Sequence, residues 1–398
     1  MDVRALQDPE RAPLTAIYLD ALLGALDADP SPGESFAFLL AMDREDPTAG
    51  LANLQVIGRR HLPPTRVLRT GALTVDPLLL RGASAGAGWR AERGGAAGSV
   101  YHATAGALPI ASGIPVVAAL LDLAPWTLPD AYQRGTMARF GQRVRARILK
   151  DAAAVIVPSV SAGLDARRVL RVKQARLRVI PLASRSAFRP EALADSGPER
   201  ERLGLGARYA VYAGRYDARQ DLPTLLTALG ALATEAPPPG VPAEEWPPRV
   251  CLVGASPDDR ASLSRDAGRA GVGELLAYAP ALPDDRLAAL VAGARILVQP
   301  ARSEATGLAA LEAIAVGVPV VASNVGALAE IVGRAGILVE PGDPARLAVA
   351  LRAAWGDELY PTLAGAAAER ARDHRTWADV ARETRAVWAK AAKAAPLL

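Results

Sequence analysis

Short apolar runs alternate with stretches of helical spacing along the whole 398-residue chain. In the first half, runs at 2–6, 36–42, 99–102, 115–121, 153–157 and 177–181 read as strands, and 16–26 has the spacing of a helix. A second set follows at 209–213, 249–254, 275–278, 294–298, 318–323 and 337–340, with helices closing the chain at 345–355, 360–374 and 376–392. Near-continuous apolar strands separated by helices predict parallel sheets covered on both faces. The fold class is therefore α/β, with two doubly wound, Rossmann-like domains facing across a cleft. We place the first domain at 1–190, a linker near 184–202 and the second domain at 200–375, followed by a last helix at 376–398. A glycine-rich stretch at 82–98 reads as a mobile loop, and 234–248 as a Pro-rich surface insert.

The second half carries the chemistry. The strand Ile296-Leu297-Val298 ends in Gln299-Pro300, and Ser303 or Thr306 can cap a helix from about 308 to 316. Gly307 lets a ligand approach the backbone, Gly317 ends the helix and Pro319 leads into the next strand. A strand, a small-residue loop and a helix amino end favour a phosphate, here at the amides of Ala305, Thr306, Gly307 and Leu308. Glu304 lies in the loop and Glu312 in the helix eight positions on. Such carboxylates suit neighbouring sugar hydroxyls. A glycosidase would set its pair on opposite sides of one bond at roughly 5 to 9.5 Å, and this placement is awkward for that. Ligands in such sheets sit beyond the carboxyl ends of the strands. Those ends offer Gly214-Arg215, then Arg219, and further contacts at Gly254 and Tyr278. Arginine presents planar, paired donors to phosphate oxygens.

Composition narrows the picture. The chain is 51% apolar, which excludes disorder. The single cysteine, Cys251, forbids an internal disulfide and points to a reducing compartment. Residues 2–4 lack the order of a signal peptide, and the uncharged run 105–121 is broken by Pro109, Gly113 and Pro115, so neither export nor a membrane span is expected. The net charge of +4 is uneven, with 14 Arg/Lys against 4 Asp/Glu in 101–190. One basic set is Arg134, Arg139, Arg143, Arg145, Arg147 and Lys150; the other is Arg167, Arg168, Arg171, Lys173, Arg176 and Arg178. This is either a solvated face or a surface drawn to an anionic membrane or acceptor. No aromatic residues interleave with these charges, so nucleic acid is not expected as a partner. No His, Cys or carboxylate cluster has metal-ligand spacing, and neither a metal nor a cofactor is expected.

Glu304-Ala305-Thr306-Gly307-Leu308 to Glu312, followed by Gly317-Val318-Pro319-Val320-Val321-Ala322-Ser323, resembles the retaining GT-B glycosyltransferases of family 4. The likeness continues through 324–332 and 336–343, and it implies that the last helix, 376–398, crosses back onto the first domain. It implies a donor of the UDP- or GDP-sugar type, transfer with retention, and an acceptor glycan or lipid-linked acceptor. The enzyme would be cytoplasmic, at the inner membrane face where it meets lipid. It further implies that Arg215 and Arg219 neutralise the diphosphate, Glu312 holds the ribose and Glu304 the sugar hydroxyls. Asp122 joins the catalytic set, with Arg11 on the acceptor side; His102, at a strand end, either faces the cleft on that side or is a hydrogen-bonded strand-end histidine. Departures fall where acceptor and leaving group should meet. The stretch 8–15, which contains Arg11, lacks the usual glycines. Leu121 stands where a histidine precedes Asp122, Gln220 replaces a lysine, and Ala183-Ser184-Arg185 replaces Gly-Val-Asp. These changes motivate an alternative, a catalytically impaired homologue that acts as nucleotide-binding or partner subunit of an active transferase. A sugar-nucleotide epimerase of the same architecture is a third reading that explains the glutamates less well.

Overall fold

A computed structural model describes residues 1–62, 98–104, 108–109, 114–372 and 375–393. The glycine-rich stretch lies almost entirely outside the described residues. The chain divides into two compact units, Met1–Leu182 with Thr376–Leu398, and Ala183–Arg375.

In the first unit, β1 (Phe36–Ala41) pairs in parallel with β2 (Val56–Leu62), and β3 (Tyr101–Thr104), β4 (Val116–Ala119), β5 (Ala154–Val157) and β6 (Leu177–Val179) form a parallel sheet in that order. The expected opening strand at 2–6 is only a bridge from Asp2 to Leu39, with the Asp2 amide bonded to the His102 carbonyl; a turn follows at once. Strand β2 escaped the sequence reading because its middle, Gly58-Arg59-Arg60-His61, faces solvent and shows no apolar run. Helix α1 (Pro13–Ala28) buries Tyr18, Leu19, Leu22, Leu23 and Leu26, a stripe of helical period.

The closing helix α11 (Trp377–Lys393) packs on α1 within this unit. The Trp388 indole N–H donates to His102 Nδ1 at 3.1 Å, and the Tyr18 hydroxyl lies 3.3 Å from His102 Nε2. An indole can only donate, so the imidazole proton sits on Nε2. Arg385 reaches Glu34 and the Asp29 carbonyl from the same helix. His102 is thus a buried latch for the closing helix, and its expected role facing the acceptor is corrected; a strand-end position does not reveal which side chain will cover it.

Burial pushes His102 from 6.5 down to about 3. The unfolded chain takes up a proton near pH 6.5 and the folded one does not. Stability is therefore complete above 6.5 and falls by roughly 1.4 kcal/mol per pH unit until the folded ring protonates. Urea unfolding of the wild type and of His102→Asn between pH 7.5 and 4 should show a shallower pH dependence in the variant; equal slopes would remove His102 from this account.

The second unit holds six parallel strands in the order β12-β11-β10-β7-β8-β9, where β7 is Ala210–Ala213, β8 Val250–Val253, β9 Leu276–Ala279, β10 Ile296–Gln299, β11 Val320–Ser323 and β12 Gly336–Val339. Read from the other edge this is the doubly wound order 3-2-1-4-5-6, with its switch point between β7 and β10. One face is filled by Val211, Cys251, Leu297, Val320, Ala310 and Ile314, the other by Tyr212, Leu252, Val298, Val321, Leu225 and Trp355. The helices that matter below are α6 (Asp284–Ala292) and α7 (Leu308–Ala315).

Candidate functional site

The switch point brings together two loops distant in sequence. Beyond β7, Gly214-Arg215 opens a loop braced by two tyrosines. The Tyr212 hydroxyl donates to the Arg215 carbonyl, and the Tyr216 hydroxyl to the Val253 carbonyl at 2.8 Å. Gly214 lies so close to the Tyr212 ring that a Cβ there would sit 2.9 Å from its hydroxyl. Beyond β10, the 300–303 loop is stitched to the first one. The amides of Arg302 and Ser303 donate to the Arg219 carbonyl, and the Asp221 amide donates to the Pro300 carbonyl.

Helix α7 begins at Leu308 after Gly307, which takes a left-handed φ of 62° as its cap. A Cβ on Gly307 would also press on the end of the Ile331 side chain at 2.5 Å, which can shift, so it is the left-handed φ that calls for glycine. Glu304 folds over this helix end. Its Oε1 accepts from the Thr306 amide at 3.1 Å, the Thr306 hydroxyl at 2.9 Å and the Gly307 amide at 2.9 Å. Its Oε2 accepts from the Gln299 side chain at 3.0 Å, with the Gln220 amide at 3.5 Å. Two corrections follow. The Thr306 and Gly307 amides are already bonded to Glu304, so the donors left for an anion are the first three of the helix, at Leu308, Ala309 and Ala310, which have no acceptor within it. Glu304 itself is half-buried and multiply bonded.

Arg215 and Arg219 flank this loop and share one counter-charge. Asp217 accepts from Arg215 Nε at 3.0 Å and from Arg219 Nε at 2.9 Å. The sequence reading missed Asp217; its place two residues from each arginine was the available signal. It also missed Gln299, whose polar side chain ends a buried strand. The side-chain carbonyl oxygens of Gln220 and Gln299 are buried and meet no donor.

Glu312 is buried inside α7. Both its oxygens are held by Arg185, Nε to Oε1 at 2.6 Å and Nη2 to Oε2 at 2.8 Å, while Arg185 Nη1 reaches Asp284 at 2.5 Å. Burial pushes the Glu312 carboxyl up, against the pull of Arg185. Burial would lower Arg185, but its two carboxylates prevail and hold it above the ordinary value. The short side-on contacts are those of a charged pair, and we take both groups as ionised at neutral pH. The expectation of a Glu312 open to ribose is corrected: Arg185, seen in the sequence only as a departure from a pattern, is the group in contact with it.

The remaining expected contacts are less available. The Gly254 amide donates to the Ala279 carbonyl. The Tyr278 ring lies under Arg260, and its hydroxyl bonds Ser264 at 3.2 Å. In the first unit, Asp122 lies past the end of β4 and accepts from the Ala124 amide at 2.9 Å. Buried Arg145, pushed down to about 10 by burial with Asp122 pulling the other way, stacks on Trp126. Leu121 is 3% exposed, so the place of the expected histidine is core, and Arg11 is exposed. Among the described residues no group of three or more His, Cys, Asp or Glu gathers as metal ligands.

Known proteins are similar to this chain in sequence and in fold. Residues 207–357 match the family model described as glycosyl transferases group 1. That stretch of the second unit is similar to the group 1 glycosyl transferases. Among relatives of this family, the D-inositol 3-phosphate glycosyltransferase of Nocardioides sp. is 32% identical over 249 residues, 57% of this chain and 52% of that protein. The O-antigen chain mannosyltransferase B of Escherichia coli is 28% identical over 62% of each chain. The chain thus spans about half the length of the first of these and under two thirds of the second. The fold extends further. Sucrose-phosphate synthase of Thermosynechococcus elongatus superposes with a TM-score of 0.71 at 23% identity, covering 96% of this chain and 94% of that one. WaaG, a glycosyltransferase involved in lipopolysaccharide biosynthesis, gives 0.70 at 15% identity over 94% and 95%. The fold is accordingly the two-unit GT-B type.

Proposed function

We propose that the chain moves a sugar from a nucleoside-diphosphate sugar to an acceptor hydroxyl, with retention at the anomeric carbon and without a metal. The observation that carries the reading is the switch point of the second unit. There the free amides at the start of α7 and the guanidinium groups of Arg215 and Arg219 provide positive charge beside Glu304. A departing diphosphate would be met by those amides and arginines, and sugar hydroxyls by Glu304. The donor is of UDP or GDP type; a structural neighbour, Anabaena HepE, was solved in complex with UDP and glucose. The acceptor is a glycan or a lipid-linked acceptor, reached from the cytoplasm.

The basic first unit suits a peripheral membrane site. In the helix Thr136–Asp151, Arg139, Arg143, Arg147 and Lys150 are exposed beside Met137 and Phe140, while Arg145 is buried and drops out of the set. No helix among the described residues is long and apolar enough to cross a membrane. Flotation with vesicles of one-third phosphatidylserine should capture the protein, and phosphatidylcholine vesicles should not; equal recovery would leave these charges as a solvated face.

A second reading, a partner subunit that binds nucleotide without turnover, is favoured by Gln220. It places an uncharged amide against Glu304 where the pattern has a lysine. Calorimetry with UDP and GDP, combined with transfer and hydrolysis assays on UDP- and GDP-sugars, separates the two. Binding with transfer supports the enzyme, binding without turnover supports the partner, and absence of both overturns the donor site.

A further inference from the structure

We propose that Arg185 competes with the donor's ribose for Glu312 and thereby sets the nucleotide affinity of the site proposed above, on which this inference rests. The Glu312 side chain is only 5% exposed, and both its oxygens face the Arg185 fork. A ribose diol offers two O–H donors at neighbouring positions; the side-on guanidinium offers two N–H donors in the same arrangement, with a full charge added. Both pairings are charge-assisted through the carboxylate, but only the guanidinium also brings a positive charge. A ribose therefore gains Glu312 only by turning Arg185 out. The side chain has somewhere to remain: Asp284 holds Nη1, its own side chain is 52% exposed, and the Phe188 ring lies 4.9 Å beneath the guanidinium. Those two contacts help hold Arg185 at the rim in its place over Glu312, so weakening either one favours the ribose.

The arrangement is peculiar to this chain's connecting segment. Position 185 carries a cation where the resembling pattern has an aspartate, and the change of sign falls opposite the helix glutamate. Two groups 127 residues apart are joined by it, inside one compact unit.

The test is calorimetry with UDP, GDP and inorganic pyrophosphate on the full chain, comparing wild type, Arg185→Ala and Asp284→Asn. Arg185→Ala should bind UDP or GDP at least tenfold more tightly, with pyrophosphate, which lacks ribose, unchanged or weaker. Asp284→Asn loosens Arg185 from the solvent side without uncovering Glu312, so it guards against a misfolded alanine variant; it should tighten nucleotide binding about two- to fivefold. Wild-type binding of nucleotide with no gain in either variant overturns the competition and leaves the donor site standing. A gain for pyrophosphate as large as that for UDP also overturns it, since charge and not ribose would then be responsible. No binding by any of the three proteins overturns the donor site and this inference together.

Discussion

Replacement of Glu304 by alanine should lower sugar transfer at least a hundredfold and also destabilise the second unit. The carboxylate has two tasks. Through Oε1 it satisfies the amides of Thr306 and Gly307 and the Thr306 hydroxyl, and through Oε2 it meets Gln299. Alanine leaves those buried donors unpaired, at about 1 to 3 kcal/mol. The second task belongs to the function proposed above: a negative group that would stand beside the point where the sugar–phosphate bond breaks. Loss of such a preorganised charge typically costs 100- to 1000-fold in rate. Glu304→Gln separates the tasks, because its carbonyl can replace Oε1 as acceptor while the charge is gone. We expect stability within about 1 kcal/mol of wild type by urea unfolding, with transfer still depressed a hundredfold. Wild-type turnover by Glu304→Gln would show that charge at this position plays no part.

Gly326→Ala should be the most damaging single-methyl change, because of where its Cβ would point. Gly326 has a φ of 53° and precedes the short helix Ala327–Ile331. An added Cβ would lie 1.8 Å from the Glu304 carbonyl oxygen, which is itself the acceptor for the Ala327 amide. Backbone on both sides must move, and the side that moves carries Glu304. The conformation costs about 1 to 2 kcal/mol for a residue with a Cβ, and forced repacking adds about 1 to 3 kcal/mol. Gly254→Ala is the control: its φ of 76° is also positive, but nothing lies within 4 Å of the new methyl. Urea unfolding should give a loss of roughly 3 to 5 kcal/mol for Gly326→Ala and about 1 to 2 for Gly254→Ala, with nucleotide binding lost only in the former. Equal losses would mean that the contact with Glu304 yields freely.

The two groups whose neighbours decide this site were unequally visible beforehand. Glu304 stood out because loop, glycine and helix start are local features, carried by adjacent residues. What it bonds to was hidden, since Gln220 lies 84 residues away. Arg185 was visible only as an oddity in a connecting segment, and the choice between two readings of His102 stayed open because the indole that covers it comes from 286 residues further along.

Alternation of apolar runs with helical spacing fixed the α/β class and the approximate place of every strand in the second unit, because burial on one face repeats with the period of the element that is buried. That periodicity is blind to partners. Which strands lie side by side, which carboxylate meets which cation, and whether a histidine faces solvent or an indole depend on packing between segments far apart in the chain. Only the folded structure set Arg185 on Glu312, joined the Arg215 loop to the Glu304 loop at the switch point, and closed the first unit over His102.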